Sequence, residues 1–338
     1  MSTEKQKRTT KKTVDTEKET LITTSRWGLD LGRMDTQLVG EDNKRDIIPS
    51  RMLVDAKDVF GNVATINGKV CEITVDSPFS YNQNKNEDHS ILLGHYILAK
   101  NINDGEVVDV GVGLPLDIYR NREERMAFAM NFCNNYQPIT VVENNISKSF
   151  TINKVVVCPE GISATSRHKL TRMTLVVDMG GRNVNISLVD KYGRPIIESI
   201  RTFDEGMHDC LQKMSNNMRV ELVNEKFMTT DNFLEIVLHG GGKKVIVDFM
   251  DRYFRKYISA LFDKIDLIKE FDRSTMDMLF TGGTAVYLKD KIDTHIENLN
   301  NDIEDKADHY KHIVSEEGKW DNPIAYLQLL KATLDAQN

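Results

Sequence analysis

The sequence predicts an α/β fold of two duplicated domains with a cleft between them. The first observation is a repeated unit: segments 28–40 (GLDLGRMDTQLVG) and 176–190 (VVDMGGRNVNISLVD) both run strand, aspartate, glycine, strand. Second, strands precede helices in both halves of the chain, which is typical of layered α/β domains. Third, 338 residues are enough for two domains that each bury a core.

The composition indicates an ordinary globular protein, with 40% hydrophobic and 28% charged residues. The net charge of −7 argues against a chain that coats nucleic acid, so we expect any contact with DNA to be made through a partner. Residues 1–26 are rich in Lys, Glu and Thr and predict a disordered tail without a signal-peptide core. No apolar stretch is long enough to span a membrane, and scattered cysteines fit reduced thiols, so a cytoplasmic location is expected.

The first half of the chain, from Trp27, predicts two strands joined by a tight turn and then a hairpin that turns at Asn67-Gly68. A helix, a buried strand, a second helix and a further strand follow. In order, their sequences are SILLGHYILAKNI, EVVDVGVGLPL, NREERMAFAMNFCNNY and FTINKVVVCPEG.

The second half predicts three strands, TLVVDMGG, NVNISLVD and IIESIRTFD, and then an amphipathic helix, GMHDCLQKMSNNM. The long segment 232–265 is predicted to be mostly helical, with an interruption at its glycine run. A strand, a glycine turn and a helix follow in MDMLFTGGTAVYLKDKI, and the last predicted helix is NPIAYLQLLKATL.

The repeated units predict a site for a polyphosphate. A strand that ends in Asp-x-Gly and turns back exposes backbone N–H groups, and glycine permits such a turn. We therefore expect Gly32, Gly180 and Gly181 to line phosphates, and Asp30 and Asp178 to share a hydrated Mg²⁺. Two such turns facing each other would hold a triphosphate from both sides. The alternative is a pair of ordinary hairpin turns.

Two further motifs extend this hypothesis. In LFTGGTAVYL (279–288) a strand meets Gly282-Gly283 and a helix, so a nucleoside can lie flat against the turn and the helix N-terminus offers N–H donors to an anion. In VVVCPEGIS, Glu160 follows a strand and could orient the water that attacks a phosphate. Taken alone, each motif is common, because strand–Gly-Gly–helix turns and surface glutamates are frequent.

Other motifs are incomplete. The chain has no P-loop sequence, and VGVGLP does not open a helix. HGGGKK at 239–244 has no accompanying nucleophile elbow, so we interpret it as a loop that interrupts a helix. HYKH at 309–312 has metal-like spacing on a predicted helix but lacks a third ligand, which favours a solvated helix face.

Taken together, the ordered motifs resemble the actin superfold, a duplicated, ribonuclease H-like, two-domain α/β fold with a nucleotide cleft between the domains. Within that superfamily the chain most resembles bacterial actin-like plasmid segregation proteins of the ParM/StbA type, over most of residues 27–338. The segments that carry the resemblance are the first phosphate loop Asp30–Thr36, the connecting pair Pro159-Glu160, the second phosphate loop Asp178–Asn185, the adenosine motif Thr281–Gly283 and the closing helix NPIAYLQLL.

The resemblance implies a filament-forming ATPase or GTPase that uses Mg²⁺ and ATP or GTP. Such filaments are head-to-tail homopolymers that segregate plasmid DNA through a DNA-bound adaptor of the ParR type, with no membrane involved. It also implies domain boundaries: domain I at 27–172, completed by a C-terminal helix at 320–338, and domain II at 173–319.

The same resemblance implies roles for individual residues. Asp30 and Asp178 would organise Mg²⁺ through water and Glu160 would position the attacking water, so these three are the expected catalytic residues. The expected nucleotide-binding residues are Gly32, Arg33, Met34, Gly180, Gly181, Arg182, Asn183, Gly206, Gly282, Gly283 and Thr284.

Both phosphate loops depart from that family's pattern. The first loop usually has small hydroxylated residues and a nearby lysine, and the second usually has two threonines and a later aspartate. The guanidinium groups of Arg33 and Arg182 suit phosphate oxygens, but they could equally face solvent or the next subunit. The residues that replace the usual ones are Arg33, Met34 and Gln37 (for the lysine) in the first loop and Arg182, Asn183 and Asn185 (for the aspartate) in the second.

Two other functions stay open at this point, a small-molecule kinase of the same superfold and a non-hydrolysing actin-like scaffold filament. The kinase would need a catalytic base that faces a second-substrate pocket, and no such motif is evident. The altered phosphate loops are compatible with the scaffold. A chaperone-type ATPase would need a downstream peptide-binding domain and a membrane-associated actin an amphipathic anchor, and we expect neither.

Overall fold

The computed structural model describes residues 24–57, 61–74, 77–78, 85–221 and 244–337. Most of the predicted N-terminal tail, and the HGGGKK segment up to residue 243, lie outside the described residues. Strand β1 begins at Thr24, so residues 24–26 belong to a strand rather than to the predicted tail.

The described residues of the first half of the chain form a sheet of nine strands in the order β3-β2-β1-β7-β9-β8-β5-β6-β4. Strands β1 and β2 are an antiparallel hairpin, and β1, β7 and β9 are parallel neighbours. The strands are β1 Thr24–Leu31, β2 Asp35–Gly40, β3 Arg45–Pro49, β4 Leu53–Val54, β5 Val63–Ile66, β6 Lys69–Glu72, β7 Val107–Leu114, β8 Ile139–Glu143 and β9 Ile146–Pro159.

In the second half, residues outside the gap at 222–243 form a sheet of five strands in the order β12-β11-β10-β13-β14. Its centre repeats the plan of the first sheet, because β10 and β11 are an antiparallel hairpin and β13 lies parallel to β10. The strands are β10 Thr174–Met179, β11 Val184–Val189, β12 Arg201–Phe203, β13 Asp277–Thr281 and β14 Lys311–Val314.

The repeat holds at the level of register. In the first hairpin Asp30 is the cross-strand partner of Gln37, and in the second Asp178 is the partner of Asn185. Both aspartates lie near the C-terminal ends of central strands, where ligand sites of α/β sheets are usually found. The predicted duplication of strand–aspartate–glycine–strand units is therefore confirmed in the backbone.

The described helices cover the sheets and connect the strands. Helix α3 begins after Asn121, whose side-chain oxygen accepts hydrogen bonds from the N–H groups of Glu123 and Glu124, as expected of an N-cap. The helices are α1 Asp88–Asn101, α2 Leu116–Arg120, α3 Arg122–Phe132, α4 Met207–Glu221, α5 Lys244–Ile265, α6 Gly283–Tyr287, α7 Lys289–Asn301 and α8 Gly318–Asp335.

The last helix, α8, lies against the first sheet although it follows the second in sequence. A Cβ atom on Gly28 of β1 would lie 1.9 Å from the carbonyl oxygen of Pro323, and one on Gly111 of β7 would lie 2.3 Å from that of Tyr326. The two glycines therefore permit an approach of helix to sheet that any side chain would block. The helix adds Leu327 and Leu330 to an apolar cluster with Val39.

Each sheet has its own hydrophobic core. The core of the first sheet includes Leu29 and Val110, and the core of the second includes Val177, Phe280 and Ile258. Within the described part of the chain, no helix combines the length and apolarity that a membrane crossing requires.

Two sequence-based expectations about local structure are wrong. In the predicted strand IIESIRTFD only Arg201–Phe203 is a strand, because Ser199 accepts a hydrogen bond from Leu188 N–H and donates one to Ile196, which closes a short 3₁₀ turn. The HYKH segment is not helical, since Lys311–Val314 forms β14. There, His312 Nε2 lies 2.8 Å from a carboxylate oxygen of Asp293.

Candidate functional site

A cavity of about 260 Å³ lies between the two sheets and is lined by residues of both. Asp30 at the end of β1, Glu160 directly after β9 and Asp178 at the end of β10 all face it. The other predicted site residues that line it are Gly32, Arg33, Met34, Gly180, Gly181, Arg182, Asn183, Gly282, Gly283 and Thr284.

The two predicted phosphate loops meet across this cavity. A Cβ atom on Gly181 would lie 2.0 Å from Cγ of Met34, so the Met34 side chain packs directly over the glycine of the opposite loop. Each loop is closed by its own backbone: Gly180 N–H donates to the carbonyl of Asn183 at 3.0 Å, and Gly32 lies against the carbonyl of Asp35. The loops therefore form two opposing walls of one site.

Gly206 is the predicted site residue that does not line the cavity. Its N–H donates to the carbonyl of Arg182 at 2.9 Å, and a Cβ atom there would lie 2.4 Å from the carbonyl carbon of Arg182. Gly206 thus supports the second loop from behind, because only glycine leaves room for that loop. The expected role of Gly206 in nucleotide binding stays a prediction.

Lys85 lines the cavity together with the three carboxylates, and it was not among the predicted site residues. It precedes α1, its side chain is only 3% exposed, and it forms an ion pair with Glu160. Its Nζ also lies 3.5 Å from Oδ1 of Asp30. The surrounding sequence, SYNQNKNED, is a polar stretch with no motif. Lys85 supplies a positive charge in the pocket where the first loop has Gln37 instead of a lysine.

The electrostatics of the cavity follow from three carboxyl groups in one buried place. Burial, together with the nearby carboxylates of Glu160 and Asp30, raises the pKa of Asp178 to about 7. Burial also raises the pKa of Glu160, an effect that the Lys85 ammonium opposes. Such a cluster of acids favours a bound cation, because added positive charge offsets their mutual repulsion.

Arg33 and Arg182 both line the cavity and are held there by acidic neighbours. Arg33 Nη1 lies 3.3 Å from Glu87 Oε1, and Arg182 Nη1 lies 3.1 Å from Asp209 Oδ1. Neither arginine points away into solvent. Nη2 of Arg33 is buried and has no hydrogen-bond partner among the described residues, and burial lowers the pKa of this guanidinium. A buried donor without a partner is costly.

Asn322 of α8 also belongs to the site. Its Nδ2 lies 3.5 Å from Oδ2 of Asp178, and its Oδ1 accepts a hydrogen bond from Gly161 N–H at 3.2 Å. The closing helix NPIAYLQLL was predicted, but Asn322 was not among the predicted site residues. Here one side chain of α8 contacts the ends of strands from both sheets.

Part of the cavity lining is apolar. It consists of Met207 and Leu211 of α4 and Tyr287 of α6. Helix α6 begins at the glycine turn after β13, and Thr284 donates to the carbonyl of Gly180 at 3.1 Å, which ties the turn to the second loop. Thr281, by contrast, is fully buried and donates to Asp321, so it supports the turn without facing the cavity.

Comparison with known proteins supports these observations. Residues 28–162 match the family described as "Actin like proteins N terminal domain". The chain is 23% identical over 314 residues to an archaeal actin homolog of Thermoplasma volcanium, a match that covers 79% of this chain and 89% of that protein.

Solved structures give the same result for the fold. A crystal structure of an archaeal actin homolog in complex with ADP superposes with a TM-score of 0.72 at 17% identity, covering 91% of this chain and 100% of that one. A 15-stranded ParM filament from Clostridium botulinum superposes with a TM-score of 0.71 at 15% identity, covering 91% and 99%. The chain therefore has an actin-like fold, and its residues 28–162 match the family model of the N-terminal domain of actin-like proteins.

Proposed function

We propose that this protein is a nucleotide-dependent, polymerising ATPase or GTPase whose filaments segregate plasmid DNA through a DNA-bound adaptor of the ParR type. One observation carries the nucleotide part of the proposal: two Asp-x-Gly loops, on equivalent hairpins of two sheets, face a single cavity. A site with two opposing walls of backbone N–H groups suits a chain of phosphates.

The residues of the cavity fit a magnesium nucleotide. Asp30 and Asp178 would hold Mg²⁺ through its waters, because Mg²⁺ usually keeps several waters and takes only one or two carboxylates. The Arg33 guanidinium, which lines the cavity, would donate to a phosphate oxygen. The apolar side chains of Met207 and Leu211 would contact the base. Bound Mg²⁺ would neutralise charge on the phosphates.

The size of the cavity suggests some movement on binding. Its 260 Å³ lies just below the range of about 300–1,000 Å³ typical of small-molecule sites. Met34 packs over Gly181 across the gap, so a nucleotide between the loops would displace that contact. The two halves would then adopt a relative position set by the bound nucleotide, as in hinge closure around ligands.

Glu160 is the residue that we assign to hydrolysis. It follows β9 directly and is 7% exposed, and its N–H donates to the carbonyl of Leu114, which fixes the backbone at this point. A carboxylate held in this way can accept a proton from the attacking water and orient it toward a terminal phosphate. Asp30 and Asp178 would stabilise the charge through the metal.

We extend the proposal to the domain boundaries. Domain I would span 27–172 with the C-terminal helix 320–338, and domain II would span 173–319. The division is supported by the two separate hydrophobic cores and by the packing of α8 on β1 and β7 of the first sheet. Nucleotide in the cleft would then contact both domains at once.

Polymer formation is the second part of the proposal. Similar proteins have been solved as filaments, including the ParM filament above and an Alp12 filament. A head-to-tail contact that does not close into a ring gives an open filament. If the nucleotide fixes the relative position of the domains, it also fixes the surfaces that subunits present, and hydrolysis would weaken the contact. The net charge of −7 fits contact with plasmid DNA through an adaptor.

The test is light scattering of the purified protein with MgCl₂ and either ATP or GTP, followed by phosphate release on the same samples. We expect a rise in scattering with at least one nucleotide and a later decline as phosphate appears. Asp178→Asn should abolish the rise, whereas Asp42→Asn, at an exposed position after β2, should behave as the wild type. No nucleotide-dependent rise in the wild type would contradict the proposal.

A non-hydrolysing scaffold is the second candidate, and one contact favours it. Glu160 is already paired with Lys85 through Oε1, so this oxygen is not available to a water molecule in this arrangement. A scaffold would assemble with nucleotide without releasing phosphate. Scattering that rises and stays constant, with no phosphate above the protein-free blank, would select the scaffold over the hydrolase.

A further inference from the structure

We infer that Lys85 changes its partner with the nucleotide: without ligand its ammonium holds Glu160 and Asp30, and with a triphosphate it pairs with the terminal phosphate and frees Glu160 for the attacking water. The inference rests on the proposed function and adds to it a positioning residue that distinguishes triphosphate from diphosphate. In this inference, the presence of a terminal phosphate determines, through Lys85, whether Glu160 is available for hydrolysis.

The burial of Lys85 is the first observation. A lysine that is 3% exposed is rare in proteins unless its charge is paired. Its ammonium forms the ion pair with Glu160 and lies 3.5 Å from Asp30, and all three residues line the same cavity. The lysine charge is therefore held next to the space that the phosphates would occupy.

The second observation is that the other cations of the described residues that line the cavity pair with acids other than Asp30 and Glu160. Arg33 pairs with Glu87, Arg182 pairs with Asp209, and Lys319 pairs with Asp35 at 3.2 Å. The contacts of Lys85, in contrast, are to two carboxylates that the proposed reaction needs for other purposes. Asp30 is required for the waters of Mg²⁺, and Glu160 is required for the attacking water.

These requirements compete with the arrangement seen here. While Glu160 is bound to the ammonium, its Oε1 accepts from Lys85 and is not available to a water molecule. When a terminal phosphate enters the cavity, it offers Lys85 an anion of higher charge than a single carboxylate. Lysine suits such an exchange, because its point charge on a flexible stem of four carbons accepts partners in many directions.

The backbone permits the exchange as well. Glu160 directly follows β9, whereas Lys85 lies in a connecting segment and precedes the first residue of α1, Asp88. A change of partner therefore requires only rotation about the lysine side chain, with no shift of a strand. A diphosphate lacks the terminal group, so with it Lys85 would stay on Glu160.

The test is calorimetric titration of the wild type, Lys85→Met and Lys85→Arg with the non-hydrolysable triphosphate adenylyl imidodiphosphate and with ADP, both in MgCl₂. The guanine pair of nucleotides replaces these if scattering selects GTP. We expect Lys85→Met to lower affinity for the triphosphate about tenfold to a hundredfold more than affinity for the diphosphate. Lys85→Arg should keep most of the wild-type preference for the triphosphate over the diphosphate.

Lys69→Met is the matched control. Lys69 also pairs with a carboxylate beside the start of α1, that of Asp88, but it is half-buried and does not line the cavity. Its substitution should leave the ratio of the two affinities unchanged. If Lys85→Met is too unstable to titrate, the comparison is made on a Glu160→Gln background, where the carboxylate that forms the ion pair with Lys85 is absent.

The outcomes separate the inference from the function it rests on. Wild-type protein that binds neither nucleotide overturns both. Wild-type protein that binds both, with a Lys85→Met variant whose two affinities fall by the same factor or not at all, overturns the inference and leaves the nucleotide site in place. A selective loss of triphosphate affinity supports the inference.

Discussion

The side-chain amide of Asn322 links Asp178 of the second sheet to Gly161 beside the first. Nδ2 lies 3.5 Å from Asp178 Oδ2, and Oδ1 accepts from Gly161 N–H at 3.2 Å. Asn322 is 8% exposed and lies on α8, the helix that packs on β1 and β7. The contact fixes the carboxylate of Asp178 relative to the segment that carries Glu160.

We therefore predict that Asn322→Ala destabilises the ligand-free protein. The substitution removes both contacts and leaves the buried N–H of Gly161 without its partner, a loss of about 1–3 kcal/mol in the free energy of unfolding. The measurement is urea denaturation at equilibrium. Gln328→Ala is the control, because Gln328 is exposed on the same helix and should change stability by less than about 0.5 kcal/mol. Equal effects of the two would count against a role for Asn322.

The second prediction concerns pH. The pKa of Asp178 is raised from 3.8 to about 7, chiefly by burial, so between these values the folded protein holds a proton that the unfolded chain has lost. Stability without divalent cations should therefore fall as pH rises from about 4 to about 7, by up to about 4 kcal/mol at 1.36 kcal/mol per pKa unit.

The variant that tests this dependence is Asp178→Asn, whose amide stays neutral at every pH. Its free energy of unfolding should decline less steeply between pH 4 and pH 7, and above pH 7 it should exceed that of the wild type. Asp42→Asn, at an exposed position, should keep the slope of the wild type. An unchanged slope in Asp178→Asn would show that this carboxyl group does not carry the effect.

The third prediction compares two adjacent glycines. Gly282 has φ of +89°, and a Cβ atom there would lie 2.4 Å from the carbonyl oxygen of Met179 and 2.7 Å from Oδ1 of Asp178. Gly283 has an ordinary φ, and its Cβ would meet only Lys319, at 3.9 Å. Gly282→Ala should therefore lower the free energy of unfolding by about 1–3 kcal/mol or more, because alanine is strained at this positive φ and its Cβ would clash with both oxygens.

Gly283→Ala is the matched control for that substitution. It lies in the first turn of α6, where alanine is a better helix former than glycine, so stability should stay the same or rise slightly. Thermal denaturation of both variants gives the comparison. A Gly283→Ala variant as unstable as Gly282→Ala would mean that the turn tolerates no side chain at either position.

The parts of the site that could be predicted from sequence are those held in short continuous segments. The strand–Asp-x-Gly–strand units and the strand–Gly-Gly–helix unit each lie within about fifteen residues, so local patterning and glycine chemistry are enough to identify them. The expected actin-like fold is confirmed for the same reason, since the order of these units follows the order of the strands.

Lys85 and Asn322 could not be predicted because their roles depend on distant partners. Lys85 contacts a residue 75 positions away, and Asn322 contacts one 144 positions away. Lys85 lies in no local motif, and Asn322 begins the closing-helix segment NPIAYLQLL, whose sequence does not indicate its partners. Gly206 is a different case. The structure requires glycine at this position because a Cβ atom would clash with the backbone of Arg182.

The last prediction concerns Glu160→Gln, a substitution that keeps the shape of the side chain and removes its charge. If Glu160 orients the attacking water, phosphate release should fall about a hundredfold or more, since a positioned acid or base typically contributes that much. Binding of nucleotide should persist, because Asp30 and Asp178 are intact. Assembly should then proceed as in the wild type, and the polymer should last longer because the subunits keep their triphosphate. The measurement is scattering and phosphate release in one cuvette, with Glu198→Gln, at an exposed position, as the control. Rapid disassembly together with phosphate release at the wild-type rate would refute the role assigned to Glu160.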